Sequence, residues 1–324
     1  MKYSELGKSG IEVSRICVGG MSFGAPFEDW LLWTLDQENT TSMIAHAMDL
    51  GVNFIDTSNS YAHGTSEEYI GKALKKLGVP RDKIILATKV YFNEGALSRK
   101  AILREIKSSL KRLQTDYLDL YIIHRFDYNT PMEETMETLH ELVKAGKVRA
   151  LGASAMYGYQ FHNLQIIAEQ NGWTKFSTMQ NHYNLLYRED ERELIPVCRQ
   201  YGVSLTPYSP QASGHLTHLG WENNSKRGQT DKTVRKKYDL AKENDLVIIN
   251  RVHEIAEKYG VTMSQVALAW LFKKGVAAPI VGASNVAHFD DAAKAVDLEL
   301  SDEDCVYLEE KYERHKIVGA RPEE

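Results

Sequence analysis

Residues 83–124 read "KIILATKVYFNEGALSRKAILREIKSSLKRLQTDYLDLYIIH". Two short apolar runs, "KIILATK" (83–89) and "YLDLYIIH" (117–124), flank "AILREIKSSLKRLQ" (101–114), in which Ile102, Ile106, Leu110 and Leu113 recur on one face at helical spacing. Ser98 stands where an N-cap belongs. Strand, helix, strand in this order means that the two strands pair in parallel, with the helix as crossover.

The same beat extends in both directions. Runs at 15–21 ("RICVGGM"), 53–57 ("NFIDT"), 148–154 ("VRALGAS"), 176–180 ("FSTMQ"), 203–209 ("VSLTPYS") and 278–282 ("APIVG") bring the strands to eight, and Gly146 before "VRALGAS" fits a C′ glycine. The ends of the first seven follow one another at about 26 to 36 residues, the length of a βα unit. The α/β pattern therefore predicts a closed (β/α)8 TIM barrel, one domain over residues 1–324, with a C-terminal helix. Long loops follow strand one ("SFGAPFEDWLLWTLDQEN", 22–39) and strand seven (210–249). An open doubly wound sheet would carry G-x-G-x-x-G after its first strand, and "ICVGGMSFGAPF" lacks it. "ELGKSG" (5–10) copies only the tail of a phosphate loop.

Composition narrows the function classes. With 43% hydrophobic and 26% charged residues the chain has the make-up of a globular protein, and a net charge of −5 gives no reason to expect nucleic acid. No apolar run reaches the length of a membrane helix and the start lacks a leader pattern, so the expected address is the cytosol. Cys17, Cys198 and Cys305 are scattered and read as reduced, structural thiols.

In such a barrel the loops at the C-terminal strand ends build the site. Read in order, those ends are Met21, Asp56, Lys89, His124, Ser154, Gln180, Tyr208 with Ser209, and the stretch from Gly282. Asp56, Lys89 and His124 each terminate an otherwise apolar run. A lysine withdrawn from water favours an anionic neighbour, so Lys89 is expected on Asp56. If Tyr61 also reaches Lys89, the ammonium would lower the phenol's pKa and make it a general acid near neutrality. His124 can donate to an oxygen that gains charge, which points to a carbonyl substrate. His215 and His218 lack a third metal ligand at useful spacing, and Ser209 and Ser213 lack a nucleophile elbow. Tyr117 and Tyr121 read as packing residues of strand four.

The chain resembles the aldo-keto reductases from Leu6 to about Asp291. The stretches that carry the resemblance are 53–74 ("NFIDTSNSYAHGTSEEYIGKAL"), "ILATKV", "TDYLDLYIIHRFD", "AGKVRALGAS", 179–210 ("MQNHYNLLYREDERELIPVCRQYGVSLTPYSP") and "PIVGAS". "MYGYQF" and "QNHYNLLYREDERELIPVC" look like the microbial branch of aryl-alcohol dehydrogenases and versiconal-type reductases.

The resemblance implies a catalytic tetrad of Asp56, Tyr61, Lys89 and His124, with the 4-pro-R hydride of NADPH passing to the carbonyl carbon and Tyr61 supplying the proton. It implies cofactor contacts at Gly20, Met21, Asp56, Ser154, Gln180, Tyr208, Ser209, Gln211, Gly214, Gly282, Ser284, Asn285, His288 and Asp291. Among these, Ser154 and Gln180 would meet the carboxamide, Tyr208 would stack on the ring, and Ser209, Gln211 and Gly214 would follow the phosphates. Ala155 stands where many members have Asn or Ser, and Tyr208 where near relatives have Trp. Ser284, Asn285 and His288 replace the Lys and Arg that often grip a 2′-phosphate, so NADPH is favoured while NADH is possible. Trp30, Trp33 and Tyr91, with Tyr61 and His124, would line the substrate pocket. The partner is a small carbonyl compound, with no nucleic acid or membrane partner, and the chain is a monomer or homo-oligomer. Two other readings are open: a cofactor-binding regulatory subunit with little turnover, and a lyase using Lys89 as a Schiff-base amine.

Overall fold

The structure, a computed structural model, describes residues 1–26, 32–222, 225–231, 237–238, 241–315 and 317. A short antiparallel hairpin opens it, β1 (Tyr3–Glu5) on β2 (Glu12–Ser14). Eight strands follow: β3 (Cys17–Gly19), β4 (Phe54–Asp56), β5 (Ile85–Val90), β6 (Leu118–Ile123), β7 (Val148–Ser154), β8 (Phe176–Gln180), β9 (Ser204–Leu205) and β10 (Ile280–Val281). They form one parallel sheet in the order β10-β3-β4-β5-β6-β7-β8-β9. Backbone hydrogen bonds from Ala277 N to Leu205 O (3.0 Å) and from Ile280 N to Pro207 O (2.9 Å) join the two ends and close the barrel. Each barrel strand falls on one of the eight runs read from the sequence.

Helices on the outside are α1 (Gln37–Asp49), α2 (Thr65–Lys76), α3 (Arg99–Leu113), α4 (Met132–Lys144), α5 (Gly158–Gln170), α6 (Leu194–Tyr201), α7 (Lys226–Thr230), α8 (Lys242–Tyr259), α9 (Met263–Lys273), α10 (Ala287–Ala295) and the C-terminal α11 (Asp302–Glu309). Helix α8 begins at Lys242, inside the stretch expected to be loop up to 249. Gly146 takes φ +67 directly after the last residue of the α4 cap, as a C′ glycine does. Ser98 is the N-cap of α3, yet its side chain makes no cap bond. Arg99 N donates instead to Glu134 Oε1 of α4 at 2.8 Å.

The hairpin is the element the sequence reading lacked. Its turn is the "ELGKSG" stretch, with Gly7 at φ +56 and Gly10 at φ +70, a conformation glycine adopts without a Cβ penalty. Leu6, Ile11 and Val13 from it are buried together with Cys17, Phe54, Ile85, Ala87, Leu120, Ile122, Ala150, Ala278 and Ile280. This is the barrel interior, plugged at its N-terminal end. Residues of opposite parity, such as Leu86, Tyr121, Ile123 and Leu151, belong to the larger core under the helices.

Side-chain parity on the strands positions the site. Phe54, then Ile85 and Ala87, then Leu120 and Ile122 face inward, so the next residues in those rows are Asp56, Lys89 and His124. Ala150 and Gly152 lead in the same way to Ser154. Gly152 is glycine because a Cβ there would meet Thr178 Oγ1 at 2.5 Å and Ile122 Cγ1 at 2.9 Å. Apolar layers thus fill the lower barrel, and polar groups are confined to the C-terminal rim.

Candidate active site

Lys89 and Asp56 are both buried, at 0% and 2% exposure, and pair with Nζ 2.5 Å from Oδ2. Two further bonds lock them. Lys89 Nζ donates to Thr57 O at 2.7 Å, and Gln180 Nε2 donates to Asp56 Oδ1 at 3.0 Å. Burial pulls Lys89 toward its neutral form, but Asp56 and then Tyr61 outweigh it and hold its pKa above the ordinary lysine value. Lys89 is a fixed ammonium.

Tyr61 lies on the rim in the turn after β4, its hydroxyl 3.4 Å from Lys89 Nζ and its ring 4.9 Å below that cation. The expected contact is present, whereas the expected shift is reversed. Burial raises the Tyr61 pKa by more than the Lys89 charge lowers it, so the phenol holds its proton throughout the neutral range. The His124 ring meets the Tyr61 ring edge-on, with centroids 5.8 Å apart at 77°. Its Nδ1 lies 3.2 Å from the hydroxyl of the buried Ser58, a positioning residue absent from the sequence reading. Burial, then Lys89 and Arg125, push the His124 pKa well below the usual imidazole value, so the ring is neutral.

The turn that delivers Tyr61 is strained. Ala62 (φ +45) and His63 (φ +53) are left-handed, followed by Gly64 (φ +89). Of the eight non-glycine residues with positive φ among the described residues, Ala62, His63, Ala96, Ala155, Ser209, Ala212 and Ser213 follow C-terminal strand ends. Each costs on the order of 1–3 kcal/mol and persists where surrounding structure enforces it. The concentration on one rim marks the working face of the barrel.

The residues proposed for the cofactor occupy the same rim, several with partners of their own. Ser154 and Gln180 end adjacent strands in register, but the Gln180 amide nitrogen is committed to Asp56. Gly20 packs so closely on β4 that a Cβ would meet Asp56 O at 2.8 Å. At Gly282 a Cβ would meet, among the described residues, only Ser22 Oγ at 3.4 Å and Arg227 Nη1 at 3.9 Å. Tyr208 lies parallel to His182, with centroids 5.1 Å apart. Ser209 O accepts from Asn184 Nδ2 at 2.9 Å, Gln211 Nε2 donates to Ser264 Oγ, and Gly214 follows at φ +107. Asn285 Oδ1 accepts from Ala287 N at the start of α10, and Ser284 N donates to His288 Nδ1. Asp291 is tied to Gln265 and Thr262 of the neighbouring helix start, which makes it an anchor of α10 on α9.

The residues expected to line a substrate pocket lie in different surroundings. Tyr91 is partly buried against the main core, and its neighbour Phe92, 43% exposed, presents the ring beside His124 at 4.9 Å. Tyr91 meets Phe92 edge-on, with centroids 5.1 Å apart. Trp33 is buried against Ala62 and Met21, with the Arg227 guanidinium 4.3 Å over its ring. Trp30 lies outside the described residues. Lys237 and Arg125 were also absent from the sequence reading. Lys237 Nζ lies 5.0 Å over the Tyr208 ring, and its pKa is pulled down to about 8 by burial, then by Arg227 and Arg125. His215 stacks on Trp221 at 4.3 Å and His218 bonds to Glu222 O, which gives both histidines packing roles.

Buried His182 and partly buried His124 predict an acid-sensitive fold. Burial lowers His182 well below the usual value, with Lys237, His315 and Arg125 adding to the effect, as it does His124. Below the unfolded pKa of about 6.5 the unfolded chain binds more protons than the folded one, so these groups cost stability as pH falls toward their folded values. Urea unfolding at pH 7 and pH 5 is expected to show a loss that shrinks in His182→Gln. An unchanged loss in the variant would contradict the assignment.

Comparisons with known proteins bear on the family and the fold. The model of the Aldo/keto reductase family matches residues 15–313. Versiconal hemiacetal acetate reductase of Aspergillus parasiticus is 41% identical, over 96% of this chain and 97% of the relative. A putative aryl-alcohol dehydrogenase of Schizosaccharomyces pombe is 41% identical, over 96% of this chain and 95% of the relative. The crystal structure of a thermostable aldo-keto reductase in complex with the inhibitor epalrestat aligns with a TM-score of 0.77 at 28% identity, covering 96% of this chain and 100% of that one. A family match over most of the length, relatives above 40% identity and a shared barrel make this chain an oxidoreductase that belongs to the aldo/keto reductase family.

Proposed function

We propose that the chain is an NADPH-dependent carbonyl reductase that converts aldehydes to primary alcohols, with ketones as a secondary substrate class and Tyr61 as the proton donor. The observation that carries this reading is the Tyr61 hydroxyl held beside a buried, permanently charged Lys89, with neutral His124 against the same ring.

The rim suits a reduced nicotinamide dinucleotide. Burial first, and then the charges of Arg227 and Arg125, depress Lys237, and among the described residues Asp231 opposes them. Such a cluster favours an anionic ligand. Ser154 and Tyr208 would hold the nicotinamide end, Ser209 and Gly214 the phosphates, and Ser284, Asn285 and His288 the adenosine end. Bound there, the cofactor would supply the hydride.

The chain's own residues supply the rest. Tyr61 gives its proton to the carbonyl oxygen as charge builds on it, and Lys89 stabilises the phenolate left behind. With Ser58 as the donor to His124 Nδ1, the imidazole proton would sit on Nε2, a second donor to the same oxygen. Asp56 and Gln180 hold Lys89 in place. The same pairing disfavours Schiff-base chemistry, which needs a neutral amine. Three free, buried cysteines suit a reducing compartment such as the cytoplasm, and a single domain, 1–324, is the proposed unit.

Following NADPH and NADH absorbance against a panel of aromatic and aliphatic aldehydes tests the reading. NADPH is expected to be consumed faster than NADH. A protein that binds NADPH and consumes neither cofactor would be a binding module. Because His124 is neutral, the pH profile of kcat is expected to be flat from about pH 6 to 8, and an inflection abolished in His124→Gln would contradict its assigned state.

A further inference from the structure

We propose that Arg125 and Phe92 form a specificity subsite for carbonyl substrates carrying an acidic group, a carboxylate on a flat apolar or aromatic body. This rests on the reductase reading and names the substrate class for the same site.

Arg125 directly follows His124 at the end of β6 and stands on the open rim, half-buried. Its guanidinium carbon lies 6.0 Å over the Phe92 ring, and that ring meets His124 at 4.9 Å and 78°. Phe92 is 43% exposed although it meets the partly buried His124. A large ring left open to solvent beside the reacting groups is a surface to cover with a flat ligand. The guanidinium then stands at the far edge of that surface, close enough for its charge to act on the Tyr208 phenol. Arginine suits a carboxylate because its planar fork can bond both oxygens.

Among the described residues, two nearby carboxylates are engaged elsewhere. Asp56 is already held by Lys89 and Gln180. Asp127, two residues beyond Arg125, accepts from Leu97 N, Asn129 N and Thr130 Oγ1. The field of Arg125 reaches Tyr61, His124, His182 and Lys237, each in the sense of a nearby positive charge. Within that cationic cluster Lys237 stands over Tyr208 and Arg227 over Trp33, whereas Arg125 directly follows His124, where a carbonyl substrate would be presented.

The test compares 4-carboxybenzaldehyde with its neutral methyl ester, methyl 4-formylbenzoate, in wild type, Arg125→Met and Arg125→Lys. It reads the ratio of kcat/KM for acid over ester within each protein, so that any general loss cancels. Binding of 4-(hydroxymethyl)benzoate against its methyl ester, followed by intrinsic fluorescence with NADP+ present, reads the subsite independently of turnover. Wild type is expected to prefer the acid in both measurements. The preference should fall about 10- to 100-fold in Arg125→Met and be partly kept in Arg125→Lys. A wild-type ratio near one, or a ratio unchanged in Arg125→Met, would overturn the subsite. An unchanged ratio with weakened NADPH binding would assign the guanidinium to the cofactor. Reduction of both aldehydes without preference would leave the reductase reading standing and remove this one. Preferential binding of the acid alcohol with no turnover of either aldehyde would do the reverse.

Discussion

Replacing Tyr61 by Phe is expected to lower the rate of carbonyl reduction by about 10²- to 10⁴-fold, the range over which a positioned general acid contributes. The ring, its contact with His124 and the cation above it all survive the substitution, so only the proton donor is removed. Stopped-flow NADPH consumption checks this, with NADPH affinity measured in parallel by fluorescence to separate chemistry from binding. The raised pKa makes the expectation sharper. Tyr61 is a protonated phenol in the resting protein, ready to donate in the reductive direction, and the oxidative direction needs it deprotonated. Alcohol oxidation is therefore expected to climb with pH well above neutrality while reduction does not. Full activity in Tyr61→Phe would remove the proton-donor assignment.

Lys89→Met is expected to cost about 3–5 kcal/mol of folding stability, because it leaves the Asp56 carboxylate buried beside an apolar chain. Urea unfolding with the linear extrapolation measures it. The double variant Asp56→Asn with Lys89→Met removes both charges and is expected to recover much of that stability while remaining inactive. If Lys89→Met unfolds at the wild-type urea midpoint, the pair is not the buried ion pair described.

How much of this was legible in the sequence depends on how local the signal is. The eight barrel strands were readable because each is a short apolar run between helices with clear periodicity. The hairpin was missed because Tyr3–Glu5 and Glu12–Ser14 are three residues each and polar on one side, so their pairing is set by the Gly7 and Gly10 turn and by burial on the barrel floor. Asp56, Lys89 and His124 were legible as ionisable ends of apolar strands, and their period-two continuation from Phe54, Ala87 and Ile122 is the physical form of that signal. Tyr61 was placed correctly and its pKa shift was not. The sign depends on a balance between desolvation and one ammonium that only coordinates provide. Ser58 and the second role of Gln180 were hidden because both act through residues distant in sequence, 66 and 124 positions away.

The central claim is hydride transfer from a reduced nicotinamide to a carbonyl carbon at this rim, and one labelling measurement addresses it directly. The protein is supplied with NADPH deuterated at the 4-pro-R position and an aromatic aldehyde, and the product is analysed by mass spectrometry. The account predicts a primary alcohol carrying one deuterium on the carbinol carbon for each NADPH consumed. Alcohol without the label, or NADPH bound with no alcohol formed from any aldehyde, would contradict it.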